Sequence, residues 1–131
     1  MAKMPKGVMD LFKDPQASKV LATVDANGTP NVAPKGSLTA VDEETIAFAD
    51  IAGGKTRANV EATKKVAAAV FKLPNGYQVK GTLQGFETSG PLFDQFEKML
   101  KSMRLNIQAV GTIKVEEVYS VSPADYGKKL A

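Results

Sequence analysis

The chain has 131 residues, of which 44% are apolar, and it contains no cysteine, histidine or tryptophan. The lack of cysteine and histidine excludes structural zinc, iron–sulfur ligation, thiol nucleophiles, Ser-His-Asp triads and imidazole acid–base chemistry. The net charge of +3 comes from lysines scattered among acidic residues, so no basic face for nucleic acid is predicted.

This length fits a single domain, residues 1–131, that can bury a core. No carboxylates occur at the spacing of metal ligands, so no metal site is predicted. Residues 1–13 have no long apolar run, which predicts no signal peptide, and no stretch is long enough to span a bilayer. We therefore expect a cytoplasmic protein without membrane or nucleic-acid partners.

The first half of the chain predicts one helix followed by three strands. The helix is expected at 5–13 and the strands at 18–26, 29–41 and 45–49. Asn27-Gly28 between the first two strands is a strong hairpin signal. Because Pro34 has no N–H to donate, the second strand is expected at a sheet edge or to be bulged there.

The second half predicts two helices and three more strands. The helices are expected at 55–64 and 91–103, and the strands at 66–72, 77–88 and 109–121. The strand at 66–72 is almost entirely apolar, which indicates a central position. Phe86 breaks the alternation of its strand just after Gly85, which predicts a bulge.

These elements predict a mainly β protein with short helices. The strands are joined mostly by hairpins, so antiparallel pairing is expected rather than parallel strands with crossover helices. Six such strands would expose two edges, which closure into a small barrel removes. A small six-stranded antiparallel barrel is therefore the predicted architecture.

The most informative stretch for function is residues 45–60, TIAFADIAGGKTRANV. A strand runs into Asp50-Ile51-Ala52, then Gly53-Gly54-Lys55-Thr56, and then a helix. Glycine pairs let a backbone approach a ligand closely, and a helix start offers free N–H groups and a partial positive charge. With Lys55 and Thr56 added, this stretch predicts a phosphate site.

Two other interpretations of the glycine pair were weighed. A P-loop requires a glycine five residues before Gly54, but Ala49 stands there, and the antiparallel pattern also argues against a nucleotide hydrolase. A glycine-rich turn with a solvated lysine is the other alternative, and the motif alone leaves it open.

Further residues near this motif extend the predicted site. The segment Pro34-Lys35-Gly36-Ser37 would bring a second lysine and a hydroxyl to the same strand end. Asp50 either accepts hydrogen bonds from a ligand or serves as a turn aspartate, and Asn59 bonds either the turn or the ligand. Arg57 either pairs with phosphate or is solvated.

The chain resembles the pyridoxamine 5′-phosphate oxidase-like family of FMN-binding split barrels, and most closely its small single-domain FMN-binding members. The similarity covers roughly residues 15–123 and depends on the order and spacing of several short pieces. These pieces are VLATV with NGTP at 20–30, VAPK at 32–35, KTRANV at 55–60, GYQVKGT at 76–82 and VEEVY at 115–119.

This resemblance implies a six-stranded split barrel that forms a homodimer, with FMN in a groove between the subunits. It implies that Lys55 and Thr56, with the strand around Lys35, Gly36 and Ser37, hold the phosphate. It also implies that the backbone of 50–52 (Asp50, Ile51 and Ala52) passes beside the isoalloxazine ring near Pro34, that Asn59 braces the phosphate helix, and that Gln78 and Lys80 reach the flavin of either subunit.

The resemblance leaves the activity open. The arginine and histidine groups that true pyridoxamine phosphate oxidases carry near the C-terminus are absent, and haem lacks an axial histidine or cysteine. We predict an FMN-dependent oxidoreductase or electron-transfer protein with a nicotinamide or other small-molecule electron donor, and its catalytic residues are unknown. The alternatives are a non-catalytic module for flavin or another phosphorylated cofactor, and a structural homodimer with an empty groove.

Overall fold

The computed structural model describes residues 2–131. In chain order its elements are helix α1 (Lys6–Lys13), strands β1 (Ser18–Val24), β2 (Pro30–Pro34), β3 (Thr39–Asp42) and β4 (Thr45–Asp50), helix α2 (Gly54–Thr63), strands β5 (Lys65–Lys72) and β6 (Asn75–Glu87), helix α3 (Pro91–Lys101) and strand β7 (Ala109–Ser120). A single turn of 3-10 helix, Pro123–Asp125, follows β7.

The strands form one antiparallel sheet of seven strands in the order β2-β1-β5-β6-β7-β4-β3. Strand β6 has 13 residues and pairs with β5 on one side and β7 on the other, so it joins the two halves of the sheet. The predicted fold class, mainly β with antiparallel pairing and short helices, is confirmed. Strands β2 and β3 remain as edges, so the barrel is split rather than closed.

The sheet has seven strands and not six because the predicted strand at 29–41 divides in two. Strand β2 ends at Pro34, which has no N–H for the ladder. A turn follows, in which the Leu38 N–H donates to the Lys35 carbonyl at 3.0 Å. Strand β2 pairs with β1 and β3 pairs with β4, so this turn carries the chain from one edge of the sheet to the other.

Two predictions for the second half of the chain are confirmed. Strand β5 lies inside the sheet between β1 and β6, as its apolar sequence indicated. In β6, Leu83 is opposite Ile113 but Gly85 is opposite Thr112, so Gln84 is the extra residue of a bulge. Bulges bend and twist a strand, and this one turns β6 between the two halves of the sheet.

The core has two parts. The larger lies between the inner face of the sheet and α1 and includes Phe12, Leu21 and Phe48. In the smaller, Phe96 and Leu100 of α3 pack against alanines of β4 and Val110 of β7. Phe96 is thus buried inside the subunit.

Candidate functional site

The turn between β4 and α2 is held together by the carboxylate of Asp50, a residue only 2% exposed. Its Oδ1 accepts the Gly53 N–H at 2.8 Å, and its Oδ2 accepts a hydrogen bond from Arg57 Nη1 at 2.5 Å. Gly53 and Gly54 have φ of 69° and 68°, a left-handed conformation that glycine adopts without steric cost. The direction in which α2 begins is therefore fixed by one carboxylate and two glycines.

The sequence left Asp50 either as a ligand acceptor or as a turn aspartate. Both carboxylate oxygens are engaged within the turn, so the side chain acts as a turn aspartate in this structure. Its backbone carbonyl accepts the N–H of Gln108 at 2.8 Å, which ties the same turn to the segment before β7. Through these side-chain and backbone hydrogen bonds, Asp50 fixes the position at which Ile51 and Ala52 leave the strand.

The first turn of α2 has no side-chain cap, because its N-cap residue is Gly53. The side chain of Lys55 is 66% exposed, and its Nζ lies 3.9 Å from Oδ2 of Asp25. Long, exposed ion pairs of this kind contribute little, while Oδ1 of Asp25 accepts the N–H groups of Asn27 and Thr29 at 2.9 Å each. The Lys55 ammonium is therefore available to an anion at the start of α2.

A buried polar network fastens α2 to the sheet. Asn59 Nδ2 donates to Thr23 Oγ1 at 3.1 Å, and Asn31 Nδ2 donates to Thr56 Oγ1 at 3.3 Å. Asn31 also reaches Thr23 Oγ1 at 3.4 Å. Because buried polar groups cost free energy unless they are paired, this network fixes the helix relative to β1 and β2. Asn59 therefore bonds the sheet, not the turn backbone, and braces the helix.

Arg57 is a structural side chain in this arrangement and does not point freely into solvent. Besides bonding Asp50, its Nε lies 3.0 Å from Oε1 of Glu61, and its Cζ lies 3.8 Å from the centroid of the Phe86 ring. Burial lowers the pKa of Arg57, but the hydrogen bond to Asp50 and the charge of Glu61 outweigh that effect and raise it. The guanidinium therefore stays charged and paired.

An apolar groove of about 490 Å³ lies beside the turn that follows β2. Pro34, Lys35, Gly36, Ser37 and Ile51 line it on one side, and the C-terminal end of α3 lines it on the other. Ser37 Oγ accepts the Ala49 N–H at 2.9 Å, which holds the turn against the end of β4. Lys35 Nζ lies 5.7 Å from the centroid of the Phe48 ring.

Strand β2 connects this groove to the start of α2. Asn31 contacts Thr56 of the helix, while Pro34 lines the groove. Three residues of strand span about 10 Å, so a ligand that reaches from the helix start to the groove need only follow one short strand. The helix start with Lys55 and Thr56 thus lies at one end of a path along β2, and the groove lined by residues 34–37 and Ile51 lies at the other end.

Gln78 does not lie on this path within one subunit. On β6 it is paired with Ala69 of β5. Ala69 is paired in turn with Val20 of β1, and Val20 with Pro34 of the edge strand β2. Three strand spacings separate Gln78 from Pro34, which is about 14 Å. Gln78, next to the buried Val79, thus shares the outer face of the sheet with Pro34 but lies three strands away from it.

Sequence reasoning missed two groups of residues at the site. Thr23 and Asn31 form the network under α2, and their signal was a polar residue facing inward on strands that are otherwise apolar. Met103 and Leu105, which line the groove, follow the last turn of α3. The helical pattern through Met103 had placed that residue on a packed face, but the helix ends at Lys101.

Residues 2–131 offer neither a metal site nor a membrane span. Within that range, no group of three or more aspartates and glutamates is arranged to hold a metal ion. Nor does any helix in it have the length and apolar character that crossing a membrane requires.

The chain matches the model of one protein family. The family model described as pyridoxamine 5′-phosphate oxidase matches residues 5–122 of the chain. No curated protein sequence matches significantly.

Two solved structures are similar over most of their length. HupZ from group A Streptococcus is 28% identical, with a TM-score of 0.82, and the match covers 95% of this chain and 98% of HupZ. An FMN-binding protein from Syntrophomonas wolfei subsp. wolfei is 25% identical, with a TM-score of 0.80, and the match covers 87% of this chain and 83% of that one.

Proposed function

The chain belongs to the pyridoxamine 5′-phosphate oxidase family, and from this premise we propose that it is an FMN-binding protein. The observation that carries the proposal is that an uncapped helix start and an apolar groove lie at the two ends of the short strand β2. A flavin nucleotide has the matching shape, with an anionic phosphate at one end and a flat apolar ring at the other. The similarity to a protein described as FMN-binding supports this choice.

The phosphate end of the proposed site is the first turn of α2. A phosphoryl group carries close to two negative charges at neutral pH, and backbone N–H groups at a helix start attract such anions. The exposed ammonium of Lys55 adds a full positive charge, and the hydroxyl of Thr56 adds a donor. Because no side chain caps this turn, a ligand phosphate would displace no intramolecular partner.

The ring end of the proposed site is formed by Pro34 and the backbone of residues 50–52. Asp50 holds that backbone in one conformation through Gly53 and Arg57, so little ordering would remain to be done when a ligand binds. Lys35, Gly36 and Ser37 line the groove next to it. Lys35 would place a positive charge beside the ring, where it favours added negative charge.

We propose that the protein is an oxidoreductase or a small electron-transfer protein that uses a nicotinamide or another small-molecule donor. When bound, FMN supplies hydride and electron transfer, and the protein supplies binding, orientation and electrostatics. Such sharing of the chemistry between cofactor and protein suits a chain without cysteine or histidine.

A cytoplasmic location stays a prediction.

One observation favours the alternative of a non-catalytic flavin-binding module. Asp50, the one carboxylate at the turn, has both oxygens engaged, so the turn offers no free carboxylate to accept a proton. Stopped-flow mixing of the FMN-loaded protein with NADH or NADPH separates the two functions. Reduction within seconds supports the oxidoreductase, and a flavin that stays oxidised for many minutes supports the module.

We also propose that two subunits pair through the outer face of the sheet. Val20, Ala22, Ala67 and Ala69 form small apolar rows there, and Val32 on the edge strand β2 is 66% exposed. Lys80 of β6 is opposite Ala67 in the same row. A partner on this face would bring its own Gln78 and Lys80 toward the path along β2.

The absorption spectrum of the purified protein tests the proposed cofactor. A yellow protein with flavin bands, or a colourless one that gains thermal stability on addition of FMN, supports the proposal. A colourless protein that FMN does not stabilise would overturn it.

A further inference from the structure

Part of the groove wall has no role in the proposed flavin site. Beyond Pro34 and Ile51, the groove is lined by Lys13 at the end of α1, Lys19 at the start of β1, and Met103 and Leu105 after α3. Met103 is 59% exposed even though it follows a helix whose apolar side faces the core. This is an accessible apolar surface next to the proposed ring position.

The accessible surface continues along α3 as an elongated trough. A second depression of about 330 Å³ shares Lys13, Thr39 and Met99 with the groove and extends to Leu92. Leu92 and Leu100 are separated by about 12 Å along the helix axis, at 1.5 Å per residue. The trough therefore fits an extended ligand better than a compact one.

The charge on the trough has one sign. Lys13, Lys19 and Lys35 line the groove, and no aspartate or glutamate is among the residues that line either depression. Asp14 does not line the trough, although its negative charge raises the pKa of Lys19. Its Oδ2 lies 3.1 Å from Nζ of Lys72, with which it forms an ion pair. The lysines facing the trough thus have no carboxylate within it.

Lys19 is less exposed than Lys13. Burial lowers the pKa of Lys19, and the charge of Asp14 only partly opposes that effect. A half-buried ammonium gains more from an added anion than an exposed one does, because less water screens the pair. A ligand anion is therefore expected to gain more from Lys19 than from Lys13.

We propose that this trough binds an elongated organic carboxylate, with its anionic end near Lys13 and Lys19 and its apolar body along α3. The proposal deepens the proposed function, because such a ligand would lie beside the flavin as a candidate substrate, and to that extent it rests on that function. The binding itself requires only the trough.

The test uses octanoate as the probe and its neutral analogue octanamide as the matched comparison. Both are titrated into the full-length protein, with and without FMN, and followed by the amide NMR shifts of Ile51 and Leu105. We expect octanoate to bind about threefold to tenfold tighter than octanamide, the range for a partly screened ionic contact. Equal affinities would overturn the proposal.

Variants locate the site. Replacing both Lys13 and Lys19 with glutamine is expected to abolish the preference for octanoate, and Met103→Asp, at an exposed position, to weaken octanoate binding at least tenfold. Lys98 is an exposed lysine of α3 outside the trough. Lys98→Gln is therefore the control and should change neither the preference for octanoate nor the affinity for it. An octanoate preference that survives when both lysines are replaced contradicts the proposal.

The same titration distinguishes the two proposals. If the protein fails to bind FMN but shows the lysine-dependent preference, the flavin function is wrong and the trough stands. If FMN binds but octanoate shows no preference over octanamide, the trough proposal is wrong and the flavin function stands.

Discussion

The guanidinium carbon of Arg57 lies 3.8 Å from the centroid of the Phe86 ring. The same guanidinium bonds Asp50 at the end of β4, and Phe86 lies just beyond the bulge in β6. One side chain thus joins the helix, the turn and the long strand. The proposed phosphate site is therefore held in shape by contacts that exist without a ligand.

Replacing Arg57 with leucine is expected to lower the free energy of unfolding by about 1.5–3 kcal/mol, the range for a hydrogen bond to a charged group. The substitution leaves the buried Asp50 carboxylate with only the Gly53 N–H. Chemical denaturation measures the change. The exposed pair of Lys6 and Asp10 is the control, and Lys6→Ala should have little effect. If both substitutions lower the free energy of unfolding equally, the Arg57 contacts stabilise the protein no more than an exposed ion pair does.

Replacing Gly54 with alanine is expected to destabilise the protein by about 1–2 kcal/mol because a Cβ is disfavoured at positive φ. No atom lies within 4 Å of the position of that Cβ, so steric contact does not contribute. Gly85→Ala is the control, since it also has open space but no positive φ. Thermal unfolding should separate the variants, and equal melting temperatures would contradict the conformational argument.

Replacing Lys55 with alanine is expected to weaken FMN binding by about 1.5–3 kcal/mol, with the lower end favoured because the side chain is exposed. Flavin fluorescence quenching measures the affinity. Riboflavin, which lacks the phosphate, should bind weakly to the wild type and equally weakly to the variant. A Lys55→Ala protein that retains wild-type affinity for FMN would remove Lys55 from the site.

Replacing Val32 with lysine is expected to dissociate the proposed dimer without unfolding the subunit, because this side chain is already mostly exposed. Sedimentation velocity at micromolar concentration reports the change. Leu73→Lys is the control, since Leu73 is 86% exposed in the turn between β5 and β6. A wild-type protein that sediments as a monomer contradicts the dimer directly.

Local signals predicted most of the fold. The Asn27-Gly28 turn, the apolar strand β5 and the bulge near Gly85 each follow from a few neighbouring residues, and all are present. The division at Pro34 was harder, because the proline predicted an irregular strand but not that the chain crosses to the other edge. That outcome depends on which strands pair at long range, which local patterns do not encode.

The site was predictable in its residue types but less so in their roles. The Gly53-Gly54-Lys55 motif marked the helix start, which the structure has one residue earlier, at Gly54. The role of Asp50 depended on Arg57 folding back across the turn, and the role of Asn59 on Thr23 lying below it. Thr23 is 36 residues from Asn59, and whether Arg57 folds back onto Asp50 depends on the shape of the turn, so only the fold identifies these partners.

A crystal structure of the protein with FMN tests the central claim most directly. The account predicts the phosphate within hydrogen-bond distance of the N–H groups of the first turn of α2, with Lys55 Nζ and Thr56 Oγ1 beside it and the ring near Pro34 and Ile51. Phosphate density elsewhere, or only solvent at the start of α2, would contradict the account.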